Sequence, residues 1–386
     1  MSKTMTSKRR LLTAIRHEEP DRVPISPRIG AFLNDYYGHS GWMYELKAAQ
    51  EFDFDPLIFL GSPYPNYVRS LQASYEDLED VRVELTIERH PESTLVRRRI
   101  QTPAGPLTDA YRQYKGGIGY GASPNPHWEE RLVKDEADLA KLAFLLPQPT
   151  VSAFEPLAEM VEIVGERGLV QVTIESAIDH RAGWAYELVD MMVAAYENPG
   201  FLRALLDLFH QNCLAETRCA LEAGVPVIFT PWYFASLSAG WSPRLYQEWF
   251  LPLIKEHADL IHDRGGLLHF YDDGKMTTIL PWLKEAGVDI VSTLTPPPVG
   301  DVELKAAKEM VGDRICLNGN IDLIYVMKMG TPEQIREAVR QAIVDAAPGG
   351  GFILGTSDSI RDTELENVRA YFQAAHDYGD YRHLGR

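Results

Sequence analysis

A short run of polar side chains in the second half of the chain has the residue types that a metal site or an acid–base site needs. His269, Asp272 and Asp273 lie within five residues of one another, and an apolar segment precedes them. Alternation along an extended strand places His269 and Tyr271 on the same face, so both can point into one interior. Oxygen ligands together with one imidazole suit Zn²⁺, Mn²⁺ or Fe²⁺. The competing interpretation is a buried histidine satisfied by a hydrogen bond, followed by a simple turn.

Other polar and aromatic side chains follow the remaining predicted strands. In a β/α barrel the carboxyl ends of the strands converge on one mouth, where the chemistry takes place. Trp232 and Tyr233 suit either an aromatic wall for a flat ligand or ordinary packing. The candidates at the other strand ends are Arg28, Glu175, Asn320 and Asp358.

Eight short apolar segments would position these residues. They lie at 23–25, 57–60, 169–174, 226–230, 266–271, 289–292, 315–317 and 351–354, and most are separated by helical patterns. Eight repeats predict a closed (β/α)₈ TIM-type barrel of the α/β class rather than an open, doubly wound sheet. No G-x-G-x-x-G follows these segments and the chain has no G-x-x-x-x-G-K-[ST] motif, which argues against a dinucleotide or P-loop function.

Residues 81–132 follow a different pattern. Val81–Arg89 and Ser93–Thr102 alternate apolar and polar residues on either side of a Pro91-Glu92 turn. This period of two is typical of half-exposed antiparallel strands. We therefore predict a single barrel domain, residues 1–386, that carries an antiparallel β-hairpin insertion at 81–132.

Composition excludes several classes of protein. The 38 Lys and Arg against 55 Asp and Glu give a formal charge of −17, which argues against nucleic acid and anionic membranes as partners. The basic start precedes no apolar run of signal-peptide length. Cys213, Cys219 and Cys316 form no C-x-x-C pair, so a disulfide framework is not expected. We expect a cytoplasmic protein, with a homodimer as the commonest oligomeric state.

Several motifs resemble those of the uroporphyrinogen decarboxylase superfamily. The segment from Lys8 to Pro24 resembles its opening helix and first strand. Further matches are the helix from Ser242 to Pro252, the stretch Gly266–Asp289, the loop Leu317–Asp322 and the last strand, Gly350–Leu354. The resemblance covers nearly the whole chain. It implies a (β/α)₈ barrel with the active site at the carboxyl ends of the strands.

Two activities occur in the superfamily that this chain resembles. One is decarboxylation of uroporphyrinogen without a cofactor; the other is zinc-dependent methyl transfer to or from a corrinoid protein or coenzyme M, including demethylation of aryl ethers. True decarboxylases carry R-Q-A-G-R-Y and F-S-D segments, of which only Arg28 and Phe59 match here, and Gly61 replaces the aspartate. Residues 81–132 also resemble the methyltransferase-like branch. The resemblance therefore implies a member closer to that branch.

The resemblance implies a metal site only in part. Thiol-activating members hold zinc with His-x-Cys and a later Cys, and the matching positions here are Tyr271, Asp273 and Asp358. The aryl-ether branch has a Glu-x14-Glu-x20-His pattern, for which this chain has Glu248 and His269, with Tyr233 at the first position. A zinc ion there would act as a Lewis acid on an ether or phenol oxygen.

We therefore predict a methyltransferase-like enzyme that demethylates a small, aryl ether-like substrate and passes the methyl group to a corrinoid or tetrahydrofolate acceptor, with a corrinoid protein as partner. The alternatives are decarboxylation of a tetrapyrrole or another carboxylate bound by Arg28, and a ligand-binding barrel without catalysis. The predicted residues are Tyr271, Asp273 and Arg28 for catalysis, Tyr233, Trp232, Glu175, Asn320 and Asp358 for substrate binding, and Glu248 and His269 for zinc.

Overall fold

A computed structural model of the chain describes residues 5–68, 78, 80–116 and 126–384. The chain divides into two compact units. The first comprises the residues up to Ser62, Thr150–Ile174 and the residues from Thr217 onward. The second comprises Pro63–Pro149 and Glu175–Glu216.

The strands fall into one parallel and one antiparallel sheet. Their bounds are β1 Leu57–Gly61, β2 Arg82–Arg89, β3 Ser93–Thr102, β4 Gly105–Tyr114, β5 His127–Glu130, β6 Leu169–Thr173, β7 Val227–Pro231, β8 Leu267–Asp272, β9 Ile290–Thr293, β10 Cys316–Ile321 and β11 Phe352–Thr356. In the described chain, seven parallel strands pair in the order β1-β6-β7-β8-β9-β10-β11. These strands belong to the first unit, and the prediction of an α/β fold with a parallel, TIM-barrel-like sheet is confirmed at this level.

The predicted first strand at 23–25 is wrong as a regular strand. Only Ile25 forms a bridge there, parallel to Leu354. Ser26 N donates to Leu354 O at 2.8 Å, and Asp55 N donates to Ile25 O at 2.7 Å. The segment thus contacts the last strand and the residues just before the first. Its ladder is short because Pro24 and Pro27, on either side, have no N–H to donate.

Alternation fixes which side chains point into the parallel sheet's interior. One buried cluster contains the helical residues Leu11 and Ile15 together with one residue from almost every parallel strand: Leu57, Leu169, Val227, Ile290, Cys316 and Ile353. Because strand side chains alternate between faces, residues two positions later face the same interior, nearer the carboxyl ends. Those residues are Phe59, Gln171, Phe229, Ser292, Asn318 and Gly355, with His269 and Tyr271 on β8.

Helices separate most of the parallel strands. The helices are α1 Ser7–Ile15, α2 Gly30–Tyr37, α3 Trp42–Phe52, α4 Ala137–Leu142, α5 Val151–Val164, α6 Gly183–Ala185, α7 Leu188–Glu197, α8 Pro199–Glu222, α9 Pro243–Trp249, α10 Leu251–His262, α11 Leu280–Ala286, α12 Leu304–Val311, α13 Pro332–Ala346 and α14 Leu365–Tyr378. Within the described ranges, no helix has the length and apolar character that crossing a bilayer requires.

The antiparallel sheet of the second unit lies where the sequence predicts one. Its order is β2-β3-β4-β5, with each neighbouring pair antiparallel. Arg98 and Asp109, both fully buried, form an ion pair that links β3 to β4. Residues 117–125 of the predicted 81–132 segment lie outside the described residues.

Candidate active site

Arg28 lies among aromatic rings at the carboxyl ends of the parallel strands. Its guanidinium carbon is 4.6 Å from the ring centroid of Tyr271, 5.5 Å from that of Phe59 and 5.9 Å from that of Phe229. Aromatic faces attract a cation electrostatically. Arg28 Nη1 also donates to Asp358 Oδ1 at 3.1 Å, and the two side chains are 29% and 35% exposed. The guanidinium is thus held in place while its rim stays open to solvent.

Tyr271 and Asp273 form an acidic pair beside Arg28. The Tyr271 hydroxyl donates to Asp273 Oδ2 over a long 3.4 Å. Burial raises the pKa of Tyr271 well above its usual value, so its hydroxyl keeps its proton. Removal of water from the carboxylate, and then the charge of Asp358, raise the pKa of Asp273. Because Asp273 as a residue is exposed at the rim, solvent screens part of this effect.

A cavity of about 160 Å³ adjoins Arg28 and brings in a residue that the sequence analysis missed, Glu45 on α3. Phe59 and Ser359 also line this cavity. Burial raises the pKa of Glu45 to about 7, against the opposing charge of Arg28. Glu45 therefore changes its charge near neutral pH, next to the guanidinium. Its helix is separated from Arg28 by α2, and nothing in the local sequence distinguishes Glu45 from Glu51 on the same helix.

His269 is buried on β8, two residues before Tyr271 and on the same inward-facing side of the strand. Its Nδ1 lies 2.7 Å from Gln171 Oε1 on β6. The ring packs edge-to-face on Phe229, with centroids 5.0 Å apart. Burial, and next the charge of Arg28, lower the pKa of His269 to about 3, so the imidazole is neutral. The polar Gln171 in an otherwise apolar strand segment was the sequence signal that could have identified this partner.

The two predicted zinc ligands lie in different surroundings. Glu248 lies on α9 with its side chain 45% exposed, where its carboxylate pairs with Arg244 at 2.9 Å. His269 is fully buried against Gln171 and Phe229. Among the described residues, no group of three His, Cys, Asp or Glu side chains could hold a metal ion. An imidazole beside one amide, two aromatic rings and the Arg28 cation is a donor set that does not fit zinc.

The remaining predicted residues lie in several environments. Tyr233 is half-buried, and its ring centroid is 6.4 Å from that of Tyr271. Trp232 is 1% exposed and stacks on Phe270, whose side chain points away from the interior. Trp232 therefore lies outside the Arg28 cluster, which consists of Arg28, Tyr271, Asp273 and Asp358. Asn320 is partly buried on β10, at an inward-facing position.

Two acidic residues near the strand ends have other local roles. Glu175 belongs to the second unit, where both of its carboxylate oxygens lie 3.1 Å from His180 Nδ1. Asp272 is fully buried and accepts a hydrogen bond from Gly274 N at 2.9 Å, which shapes the turn after β8. Burial raises the pKa of Asp272 to about 8. Asp272 therefore supports the loop that presents Asp273.

Comparison with known proteins decides the family. Residues 116–378 match the family model described as uroporphyrinogen decarboxylase (URO-D). The chain belongs to the URO-D family. A match of this extent covers β6 to β11 and therefore most of the candidate site, whereas Arg28, Glu45 and Phe59 precede it.

Relatives of this URO-D family member carry two different activities. A uroporphyrinogen decarboxylase of Pseudoalteromonas translucida is 27% identical over 195 residues, which cover 49% of this chain and 52% of the relative. A methylated-thiol–coenzyme M methyltransferase of Methanosarcina mazei is 31% identical over 134 residues, 34% of this chain and 33% of the relative. These matches thus span about half, or less, of the relatives' length.

The fold has a full-length counterpart among solved structures. A methyltransferase from Methanosarcina mazei superposes with a TM-score of 0.66 at 19% identity, covering 97% of this chain and 99% of its own. At this identity the likeness concerns the fold alone. The choice between methyl transfer and decarboxylation therefore depends on the chemistry of the site.

Proposed function

We propose that this chain is a methyl-transfer enzyme of the URO-D family. Its substrate is a small, methylated, aryl ether-like carboxylate, and the methyl acceptor is a corrinoid or a similar carrier. The observation that carries the proposal is the cluster of Arg28, Tyr271, Asp273 and Asp358 at the strand ends, because it combines one held cation with a tyrosine hydroxyl and a carboxyl group whose pKa values are both raised.

Each member of this cluster has a distinct part in the proposed reaction. Arg28 binds the substrate carboxylate, since a guanidinium offers several donors in one plane. Asp273 holds a proton that it gives to the ether oxygen as the bond from oxygen to the methyl carbon breaks and the oxygen keeps the electron pair. Tyr271 orients Asp273 through its hydroxyl. A corrinoid, when bound, supplies the nucleophile that accepts the methyl group.

Several further predictions from the sequence are also proposals. They are a closed (β/α)₈ barrel within a single domain 1–386 that carries the 81–132 insertion, a corrinoid protein as partner, a homodimer and a cytoplasmic location. The predicted zinc ion is not part of the mechanism, because the side chains around His269 do not suit it.

The test is a methyl-transfer assay with reduced cob(I)alamin and methoxybenzoates such as meta-anisate and vanillate. We expect methylcobalamin and the demethylated phenol to form in equal amounts, and a strong chelator to leave the rate unchanged. Absorbance follows the cobalamin and chromatography follows the phenol. Absence of methylcobalamin with every methyl ether carboxylate would contradict the proposal.

Decarboxylation is the second candidate, and the position of Arg28 favours it independently. A guanidinium that binds a carboxylate, next to an acid that protonates the carbon left behind, would serve the loss of carbon dioxide equally well. The same incubations without cobalamin decide between the two reactions. Release of carbon dioxide in amounts equal to the substrate consumed, with the methoxy group intact, would favour decarboxylation.

A further inference from the structure

Three polar atoms inside the parallel sheet have no hydrogen-bond partner among the described residues. They are Gln171 Nε2, His269 Nε2 and Ser292 Oγ. Their residues are 0%, 0% and 1% exposed. A buried polar atom left without a partner destabilises the folded protein. Such atoms, all on inward-facing strand positions, indicate an interior that is suited to receive a hydrogen-bonding group.

The donor and acceptor roles at Gln171 and His269 follow from their contact. Gln171 Oε1 accepts only, so the proton of the neutral imidazole lies on Nδ1 and is donated to that oxygen at 2.7 Å. His269 Nε2 is then left with a lone pair that accepts. Gln171 Nε2 carries two hydrogens that donate. Two side chains in contact with each other therefore carry one acceptor and one donor without a partner.

This pairing selects the chemistry of the bound group. A hydroxyl both donates to His269 Nε2 and accepts from Gln171 Nε2, so it satisfies both atoms. A carboxylate only accepts and would leave the imidazole lone pair without a partner. An ammonium only donates, and the Arg28 cation would repel it, because the guanidinium carbon lies 5.9 Å from the centroid of the same Phe229 ring that His269 packs against. The arrangement thus favours a neutral hydroxyl over either charged group.

The pair lies directly below the Arg28 cluster. Phe229 contacts both levels, because its ring centroid is 5.0 Å from that of His269 and 5.6 Å from that of Tyr271. The guanidinium carbon of Arg28 is 5.9 Å from the same Phe229 ring. A small molecule whose carboxylate is on Arg28 can therefore direct a second group toward His269 and Gln171.

We propose that His269 and Gln171 form a subsite for a neutral hydroxyl group, which makes the substrate a small hydroxylated carboxylic acid. This inference rests on the proposed function for the carboxylate on Arg28, and it names the substrate class more closely. Ser292 supplies a further hydroxyl on the neighbouring strand, in register with Tyr271.

The test compares the affinities of acids that differ only in a hydroxyl. The pairs are vanillate with meta-anisate and lactate with propionate, measured by titration calorimetry on the full chain. We expect the hydroxylated member of at least one pair to bind about tenfold tighter or more, since a site with polar groups left unpaired discriminates strongly. In His269→Phe, which keeps an aromatic ring against Phe229, the ratio falls to about one. Arg28→Met is the matched control and weakens both members equally.

Equal affinities within both pairs in the unaltered protein would overturn the subsite, because the buried atoms would then be satisfied by water alone. A ratio that persists in His269→Phe would overturn it as well, and so would failure of both hydroxylated acids to bind. These readouts need no methyl transfer. A preference for the hydroxylated acid without methyl transfer would contradict the proposed function and support the subsite. Methyl transfer without that preference would support the function and contradict the subsite.

Discussion

Two arginine–aspartate clusters of the first unit differ in how many hydrogen bonds the arginine side chain donates. Arg10 donates to both carboxylate oxygens of Asp21, at 2.6 and 3.0 Å, to Met5 O at 2.8 Å, and to Asp55. Asp55 also accepts from Arg22 at 2.7 Å. At the strand ends, by contrast, Arg28 makes one 3.1 Å hydrogen bond to Asp358 and otherwise faces aromatic rings.

The difference separates a structural cluster from the proposed functional one. Burial alone would raise the pKa of Asp21, but the hydrogen bonds from Arg10 and Met5 outweigh it and lower that pKa. At the site the carboxyl pKa values of Glu45 and Asp273 move upward instead. A fully paired cluster stabilises charges and so serves the fold. A cluster whose carboxyl pKa values are raised, and whose arginine leaves donors facing the rim, is suited to bind an anion and to transfer a proton.

The largest expected effect concerns stability at the structural cluster. Arg10→Met removes one of the two arginines that pair with the buried Asp55 carboxylate. We expect the free energy of unfolding to fall by about 3–5 kcal/mol. Urea denaturation at neutral pH measures it. Arg28→Met is the matched comparison, and its partly exposed pair should change stability by less than about 1 kcal/mol. Equal losses in the two variants would remove the distinction between the clusters.

The next effect concerns ligand binding at the site. Arg28→Met should weaken the binding of small carboxylates roughly 10–100-fold, because a charge-assisted hydrogen bond contributes about 1.5–3 kcal/mol. The affinity for the corresponding amides should change little, since an amide does not need the positive charge. Calorimetric titration of benzoate and benzamide checks both expectations. An unchanged benzoate affinity would show that Arg28 does not bind the carboxylate.

The smallest effect is the pH dependence given by Glu45. Its pKa in the folded protein is raised to about 7, so it is neutral below that pH and negative above it. We expect benzoate affinity to fall a few-fold between about pH 6 and pH 8, as the new charge competes for Arg28, and the profile of Glu45→Gln to be flat. The free energy of unfolding has the same sign of pH dependence: it falls as pH rises from about 4.5, the usual pKa of a glutamate, to about 7, and Glu45 adds no further slope above that pH. A wild-type profile without this slope would rule out the role of Glu45.

Hydrophobic patterning predicted the parallel sheet well because its strands are buried on both faces. The predicted segments 57–60 and 289–292 became Leu57–Gly61 and Ile290–Thr293, and the other five also formed strands. The segment at 23–25 failed, since prolines at 24 and 27 limit its hydrogen bonding. The helix matched from Ser242 to Pro252 divides at Phe250 into α9 and the start of α10.

The site was less predictable, because sequence spacing does not show which way a helical side chain points. The spacing of Glu248 and His269 matches a zinc pattern, yet α9 buries Leu245, Tyr246 and Trp249, which turns Glu248 toward solvent. Glu45 and Gln171 reach the site only through the fold. The convergence of strand carboxyl ends was sufficient to group Arg28, Tyr271, Asp273 and Asp358, because the loops after parallel strands meet regardless of how the helices are oriented.

The most direct test of the central claim compares Asp273→Asn with Glu248→Gln in the cob(I)alamin assay. In the proposed reaction Asp273 is the proton donor and Glu248 has no part. Removal of a general acid should lower the methyl-transfer rate about 100-fold or more. We therefore predict that loss for Asp273→Asn, with Glu248→Gln within about twofold of the unaltered protein. A collapse of activity in Glu248→Gln while Asp273→Asn stays active would contradict the account and restore a metal site at Glu248 and His269.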